Sequence, residues 1–328
     1  MSGRADLRRR TTADACFGSA PGQGPRGRRG PRGVLAGVLA GVLAGTLAGC
    51  GVRIDSPQPE LPSAGASEVA RQDAARRAID LAGLATAAAA DPSTSQADAE
   101  LLTRLAADSR THAAALGGVW TPPPWAPTPT PSAAPPAAAT AEAAGAFVDA
   151  ASLTCADAVA VDPGDLATVL ASVCLAQRRA AMDLGEAPGE LPEPSLDGLV
   201  AAVSGAPNAA DLARALDAAA FALEVTAARS AGEVQTTLAG RAAGLRAVAQ
   251  EILEAIGVHG SDADPRRAAY ALDEATTPSI ETSLLAAWTS VVGSAEPGAR
   301  AAVLREMDSA LLRARQAGAA LPALPGLP

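Results

Sequence analysis

The chain has 328 residues, and its 26 basic and 35 acidic side chains give a formal net charge of −9 at neutral pH. An acidic surface repels nucleic acid and anionic lipid headgroups, so neither is an expected partner. Aromatic residues make up only 2% of the chain and alanine dominates its apolar residues, which excludes a large aromatic core. Because alanine has the highest helix propensity and buries little area, the composition predicts an all-α protein with thin, closely packed cores.

Residues 1–49 are predicted to be a lipoprotein signal peptide. Four arginines lie within residues 26–32, an apolar stretch covers residues 34–47, and the sequence Leu-Ala-Gly-Cys ends at Cys50. The apolar stretch has 14 residues, whereas a membrane span needs roughly 20, so a retained transmembrane helix is disfavoured. We therefore expect cleavage before Cys50 and a lipid on its side chain. The remaining chain would then lie on the outer face of the cytoplasmic membrane.

Cleavage would make the mature chain strongly acidic. It removes eight arginines and two aspartates, which leaves 18 arginines against 33 acidic residues and a net charge of about −15. The mature chain would begin with residues 50–66, whose three prolines predict a flexible tether between the membrane and the folded body.

Residues 67–185 are predicted to form a helical region of two hairpins. Ser67 and Ser95 have the positions and side chains of N-caps for the first two helices. A Pro- and Thr-rich linker, residues 119–137, interrupts the region and favours a polyproline-like conformation. A third helix is expected over residues 138–160, and the Asp-Pro pair that follows it predicts the start of a fourth.

The linker also contains candidate modification sites. Thr121, Thr128 and Thr130 lie among prolines in a segment that we expect to be exported. This composition is typical of O-glycosylated stalks, and an unmodified spacer is the alternative.

Cys155 and Cys174 are the only cysteines that the mature chain would carry besides Cys50. Each lies on the apolar stripe of its predicted helix, so both should face inward between the third and fourth helices. Export would place them in an oxidising compartment, where an even pair tends to be joined. A bridge needs Cα atoms within about 7 Å, which small alanine side chains permit. The sequence therefore predicts a structural disulfide, and two buried free thiols are the alternative.

Residues 195–328 are predicted to form a ferritin-like four-helix bundle. After a short helix, Asn208 is expected to cap the first of four long helices. A long connection, residues 257–277, separates the second from the third, so two antiparallel hairpins are joined by a crossover. The apolar tail, residues 321–328, is predicted to pack on the bundle as a strap.

Short sequences in this half resemble the ferritin-like domain of uncharacterised actinobacterial lipoproteins. They are Ala-Ala-Tyr270-Ala-Leu, Leu285-Ala-Ala-Trp288 and Leu324-Pro-Gly-Leu327. The N-terminal half resembles the same lipoproteins through Cys50-Gly-Val-Arg-Ile-Asp and the helix that carries His112. The resemblance implies a fold and a location, since no activity is established for the family. Members commonly have Ala-Glu-His in the first helix of the domain, and this chain has Ala-Ala-Ala-Phe221 there, so a polar site is expected to be lost.

The sequence argues against a metal or other cofactor. A ferritin-like di-iron site needs two Glu-x-x-His motifs, whereas the two histidines, His112 and His259, have no glutamate three residues before them. His112 is expected to be a partly buried histidine bonded to a neighbouring helix. Asp217 and Glu224 share a helix face, where paired carboxylates perform acid–base catalysis or, more commonly, form a solvated surface.

No nucleophile, phosphate-binding or cofactor motif occurs in the sequence. We therefore expect a non-catalytic, lipid-anchored protein that binds a partner or scaffolds assembly in the cell envelope. A carrier of a small apolar or lipid-like ligand within a helical bundle is the alternative. An enzyme of unrecognised type is the third possibility. The expected partners are the membrane, through Cys50, and an envelope protein or a small apolar ligand.

Overall fold

The computed structural model describes residues 63–123, 139–272 and 276–328, which contain helices and no strand. The all-α class is therefore confirmed for these ranges. The helices in chain order are α1 (Ala66–Ala89), α2 (Gln96–Ala115), α3 (Thr140–Ala160), α4 (Gly164–Asp183), α5 (Leu196–Ser204), α6 (Ala209–Ala228), α7 (Gly232–Ala255), α8 (Thr277–Val292) and α9 (Arg300–Gln316).

The helix starts show which predicted caps form. The Ser95 hydroxyl accepts a hydrogen bond from a backbone N–H of the first turn of α2 at 3.2 Å, as predicted. The prediction for Ser67 is wrong, because α1 begins at Ala66, so Ser67 already lies inside the helix. Its hydroxyl donates to the carbonyl of Asp162 instead. Asn208 precedes α6 but makes no capping bond. Its amide donates to the carbonyl and the hydroxyl of Ser290 instead, which ties α6 to α8.

Consecutive helices pair as hairpins. The pairs are α1 with α2, α3 with α4, α6 with α7, and α8 with α9. In the N-terminal half, α1 also packs on α3 and α2 on α4. In the C-terminal half, α6 packs on α8, and the short α5 packs on α7 and α9.

Helix α4 joins the two halves. Every residue from 170 to 181 is buried, so the helix is covered on all sides. It packs on α3, α8 and α9, and one apolar core extends from α1 through α4 to α9. At its start, Gly164 meets Gly293 at the end of α8, where a Cβ on Gly164 would lie 1.9 Å from the Gly293 carbonyl oxygen. The described residues from 63 to 328 accordingly belong to one compact unit.

Helix α3 is, within the described ranges, the one helix long and apolar enough to cross a membrane. Its mean hydropathy is 1.3, and 44% of its most apolar window is buried in the protein. Phe147 and Cys155 of this helix are core residues that are 1% and 5% exposed. The apolar character of α3 is thus accounted for by its packing against α1 and α4.

Candidate functional site

Most of the predicted modification sites lie outside the described residues. Cys50, Thr128 and Thr130 belong to segments that the structure does not describe, so the lipid anchor and these glycosylation sites stay predictions. Thr121 is described and is exposed in the coil that follows α2. Its glycosylation also stays a prediction.

The two buried cysteines meet between α3 and α4. The sulfur atoms of Cys155 and Cys174 lie 1.93 Å apart, and their Cα atoms are separated by 5.1 Å. Disulfides usually join Cα atoms about 4.4–6.8 Å apart, so the backbone positions suit the bond. Cys155 is 5% exposed and Cys174 is fully buried, which makes the bridge an internal staple of the hairpin.

A groove of about 610 Å³ runs beside the disulfide, between α3, α9 and the loop that follows α4. The lining residues include Val148, Cys155 and Val159 of α3, Leu191 of the loop and Leu304 of α9. Apolar side chains thus come from three segments that are far apart in the sequence. They leave an apolar trough that remains open to solvent.

Arg178 of α4 lies at the floor of the groove and fixes its walls. Its Nε and Nη2 donate to the two carboxylate oxygens of Asp308 on α9, at 2.8 and 3.0 Å. Its Nη1 donates to the carbonyl of Gly189 in the loop at 2.7 Å. Both partners of the ion pair are buried, with exposed side-chain fractions of 8% and 1%. At the rim, Arg305 pairs with Glu193 at 2.8 Å and holds the loop to α9. These ion pairs and the hydrogen bond to Gly189 therefore hold α4, α9 and the loop in place around the groove.

The cysteine and arginine side chains of the groove lining are already engaged in bonds. Cys155 is held in the disulfide, Arg178 uses all three guanidinium nitrogens in hydrogen bonds, and no histidine lies among the lining residues. Two exposed carboxylates, Asp149 and Glu190, lie along the groove. This arrangement suits an apolar segment or ligand whose polar end is neutral or cationic.

Apart from the groove, a cluster of charged side chains lies between α7, α8 and α9. Arg241 of α7 faces Glu281 of α8 at 3.6 Å, and the charges of Glu306 and Arg313 of α9 act on both. Burial raises the pKa of Glu281 and of Glu306, and the two guanidinium groups oppose that rise. Within the described part of the chain, no three His, Cys, Asp or Glu side chains converge as a metal site needs. Arg241 and Arg313 supply the positive charge of this cluster.

The paired carboxylates of α6 differ in exposure, since Asp217 is buried and Glu224 is exposed, and both are engaged by one arginine. Arg246 of α7 pairs with Asp217 at 2.6 Å and with Glu224 at 2.7 Å. The hydroxyl of Tyr270 donates to the second oxygen of Asp217 at 2.8 Å, and its ring lies 5.9 Å from Phe221. The hydrogen bonds from Arg246 lower the pKa of Glu224. Since these contacts engage both carboxylates, they hold the crossover against α6 and α7.

His112 is buried more deeply than predicted and is bonded to a different partner. It is 2% exposed, and its Nε2 lies 2.8 Å from the carbonyl oxygen of Ala323 in the C-terminal tail, not from a helix. An oxygen acceptor requires the proton on Nε2, and Nδ1 has no hydrogen-bond partner among the described residues. Burial lowers the pKa of the imidazole.

Five buried charged residues of the described ranges were not singled out from the sequence. They are Arg178 and Arg179 of α4, Glu281 of α8, and Arg300 and Asp308 of α9. The Arg-Arg pair follows Gln177 in a stretch of small and apolar residues between Val173 and Ala181, and nothing in the sequence indicates its distant partners.

No family model, no curated protein and no solved structure matches the chain.

Proposed function

We propose that the protein is an exported helical lipoprotein, anchored through Cys50, with a non-catalytic binding or scaffolding role in the cell envelope. The observation that carries the binding role is the apolar groove between α3 and α9, whose polar floor residues are fully paired. The buried pair of Cys155 and Cys174 supports export, since such bonds persist in oxidising compartments. The acidic charge disfavours nucleic acid as a partner.

For residues 195–328 we propose the ferritin-like arrangement that the sequence suggests. Its support is the pairing of α6 with α7 and of α8 with α9, together with the long connection between the two hairpins. In that arrangement the cluster of charged side chains would stabilise the packing of α7, α8 and α9 inside the bundle. Its members are Arg241, Glu281, Glu306 and Arg313. Such a bundle binds or supports other molecules rather than performing di-iron chemistry.

A carrier of a small apolar or lipid-like ligand is the second candidate. The groove volume of about 610 Å³ lies within the range of about 300–1,000 Å³ that is usual for small-molecule sites. Its open side favours an elongated chain over a compact ligand. The two roles therefore share one surface and differ in the occupant.

Photo-crosslinking in the native host distinguishes the two occupants. A benzophenone amino acid at Ala156, an exposed residue of the groove lining, is compared with the same group at Ala160, which is exposed on the same helix but outside the lining. A protein-sized adduct from position 156 alone supports the binding or scaffolding role. A lipid-sized adduct from position 156 alone moves the assignment to the carrier. Equal labelling from both positions contradicts the groove as the binding surface.

A further inference from the structure

The C-terminal tail, residues 319–328, occupies a second groove, formed by α2, α4 and α8. Its sequence contains three prolines and one glycine. The middle of the tail is enclosed, since Pro325 is buried, whereas Pro328 at the end is exposed. The tail is thus a short peptide seated between helices that are far from it in the sequence. We call this place the tail groove.

Arg179 of α4 binds the start of the tail through backbone carbonyls. Its Nη1 donates to the carbonyl oxygens of Leu321 at 3.1 Å and of Pro322 at 2.9 Å. Its Nη2 donates to the Asp108 carboxylate of α2 at 3.2 Å, which orients the guanidinium group. Arg179 is 8% exposed, so this donor belongs to the groove itself and not to the protein surface.

Two more buried donors bind the middle of the tail. His112 Nε2 donates to the Ala323 carbonyl at 2.8 Å, and the Ser172 hydroxyl donates to the Pro325 carbonyl at 2.9 Å. His112 is 2% exposed and Ser172 is fully buried. The groove therefore presents a row of side-chain donors to consecutive parts of one peptide backbone.

Gly326 is enclosed most tightly. Its φ is +84°, and a Cβ added to it would lie 2.1 Å from Oγ1 of Thr289 and 3.4 Å from the side chain of Leu285. Only glycine combines this conformation with this contact. The groove thus requires a glycine at this position of the tail.

The chemistry of the tail groove is complementary to a proline-rich peptide. Proline has a carbonyl but no N–H, so the buried Pro325 brings no donor that burial would leave unsatisfied. The groove side chains described above donate and do not accept. Extended proline-rich segments also lose little conformational entropy on binding, which is why several recognition domains use them.

We propose that the tail groove is a peptide-binding site that the chain's own tail fills, and that the tail of a second copy fills it in trans. A second copy carries the same residues 321–328, including the glycine that the groove requires. The tail leaves α9 at Gly318, whose φ of +79° turns the backbone away from the helix axis. An open space of about 410 Å³ lies between the tail and α8. Since the tethered tail has a high effective concentration, exchange grows with protein concentration.

Peptide binding tests the site directly. A chain that ends at Ala319 leaves the tail groove empty, and the probe is a fluorescein-labelled peptide of residues 320–328, followed by fluorescence anisotropy. We expect saturable binding. A Gly326→Ala peptide should bind about tenfold more weakly or worse, because its added methyl group meets Thr289. A peptide with Ala320→Gly, which alters one methyl group at an exposed position, should bind within about twofold of the parent.

Full-length chains provide the second arm. The Gly326→Val chain retains every other residue while displacing its own tail, so it should bind the same peptide even if the shortened chain does not fold. For exchange, Ser172→Cys chains are mixed with Pro325→Cys chains and oxidised. Disulfide-linked heterodimers that increase with concentration support the proposal. A folded open variant that does not bind the peptide, equal affinity for the Gly326→Ala peptide, or no heterodimer at any concentration overturns it.

Discussion

The contact between Gly164 and Gly293 gives the sharpest prediction about how the two halves join. A Cβ on Gly164 would lie 1.9 Å from the carbonyl oxygen and 2.7 Å from the carbonyl carbon of Gly293. These are backbone atoms that cannot rotate away, so Gly164→Ala must separate α4 from α8. Overpacking of this kind costs about 1–3 kcal/mol, against a helix-propensity gain of at most about 1 kcal/mol for alanine. We expect a net loss of about 2 kcal/mol in the free energy of unfolding.

Urea unfolding followed by circular dichroism measures this loss. The matched control is Gly244→Ala in α7, because a Cβ at that helical glycine meets nothing within 4 Å. The control should raise the free energy of unfolding by up to about 1 kcal/mol. The two variants make the same chemical change, and only Gly164→Ala places the new methyl group against a backbone; Gly164 is the first residue of α4, whereas Gly244 lies inside α7. If Gly164→Ala is as stable as Gly244→Ala, the close crossing of α4 and α8 is refuted.

Three further predictions concern buried polar groups and the disulfide. Replacing Cys155 and Cys174 by alanine should lower the free energy of unfolding by about 3 kcal/mol, because their 19-residue separation sets the loop-closure entropy of the unfolded chain. Alkylation of two thiols in exported protein that is denatured but not reduced would contradict the disulfide. The pKa of His112 is lowered by burial, so the unfolded state takes up its proton first and stability should fall as the pH drops below about 6.5. Thermal unfolding of His112→Gln should depend less on pH in this window, and an unchanged pH dependence would contradict the assignment. Asp308→Ala should lower the free energy of unfolding by about 3–5 kcal/mol, because it leaves the buried Arg178 without its carboxylate partner. The double variant Arg178→Met with Asp308→Leu should recover most of that loss. Equal urea midpoints for the single and double variants would argue against a buried ion pair.

The helices could be predicted from the sequence because their end signals are local. The Asp-Pro pair at residues 91–92 follows α1, Gly117 and Gly118 follow α2, and Gly185 follows α4, each within a few residues of the observed end. The inward direction of Cys155 and Cys174 could also be predicted, because it depends on the helical periodicity of neighbouring residues.

The burial of α4 could not be predicted in the same way. Arg178 and Arg179 are consecutive charges, which ordinarily mark a solvated face. Their burial depends on Asp308, 130 residues away, and on Asp108, 71 residues away. The partner of His112 is 211 residues away and is a backbone carbonyl, which no side-chain pattern reveals. The apolar groove likewise combines α3, α9 and a loop, and none of these segments indicates it alone.

The intact mass of the protein extracted in detergent from host membranes tests the proposed lipid anchor. We predict a mature chain that begins at Cys50 and carries a diacylglyceryl group on that side chain. Cys50→Ala protein should lack this mass and should be released or left unprocessed. A membrane-extracted chain that retains residues 1–49, or one whose Cys50 carries no lipid, would contradict the proposed anchor.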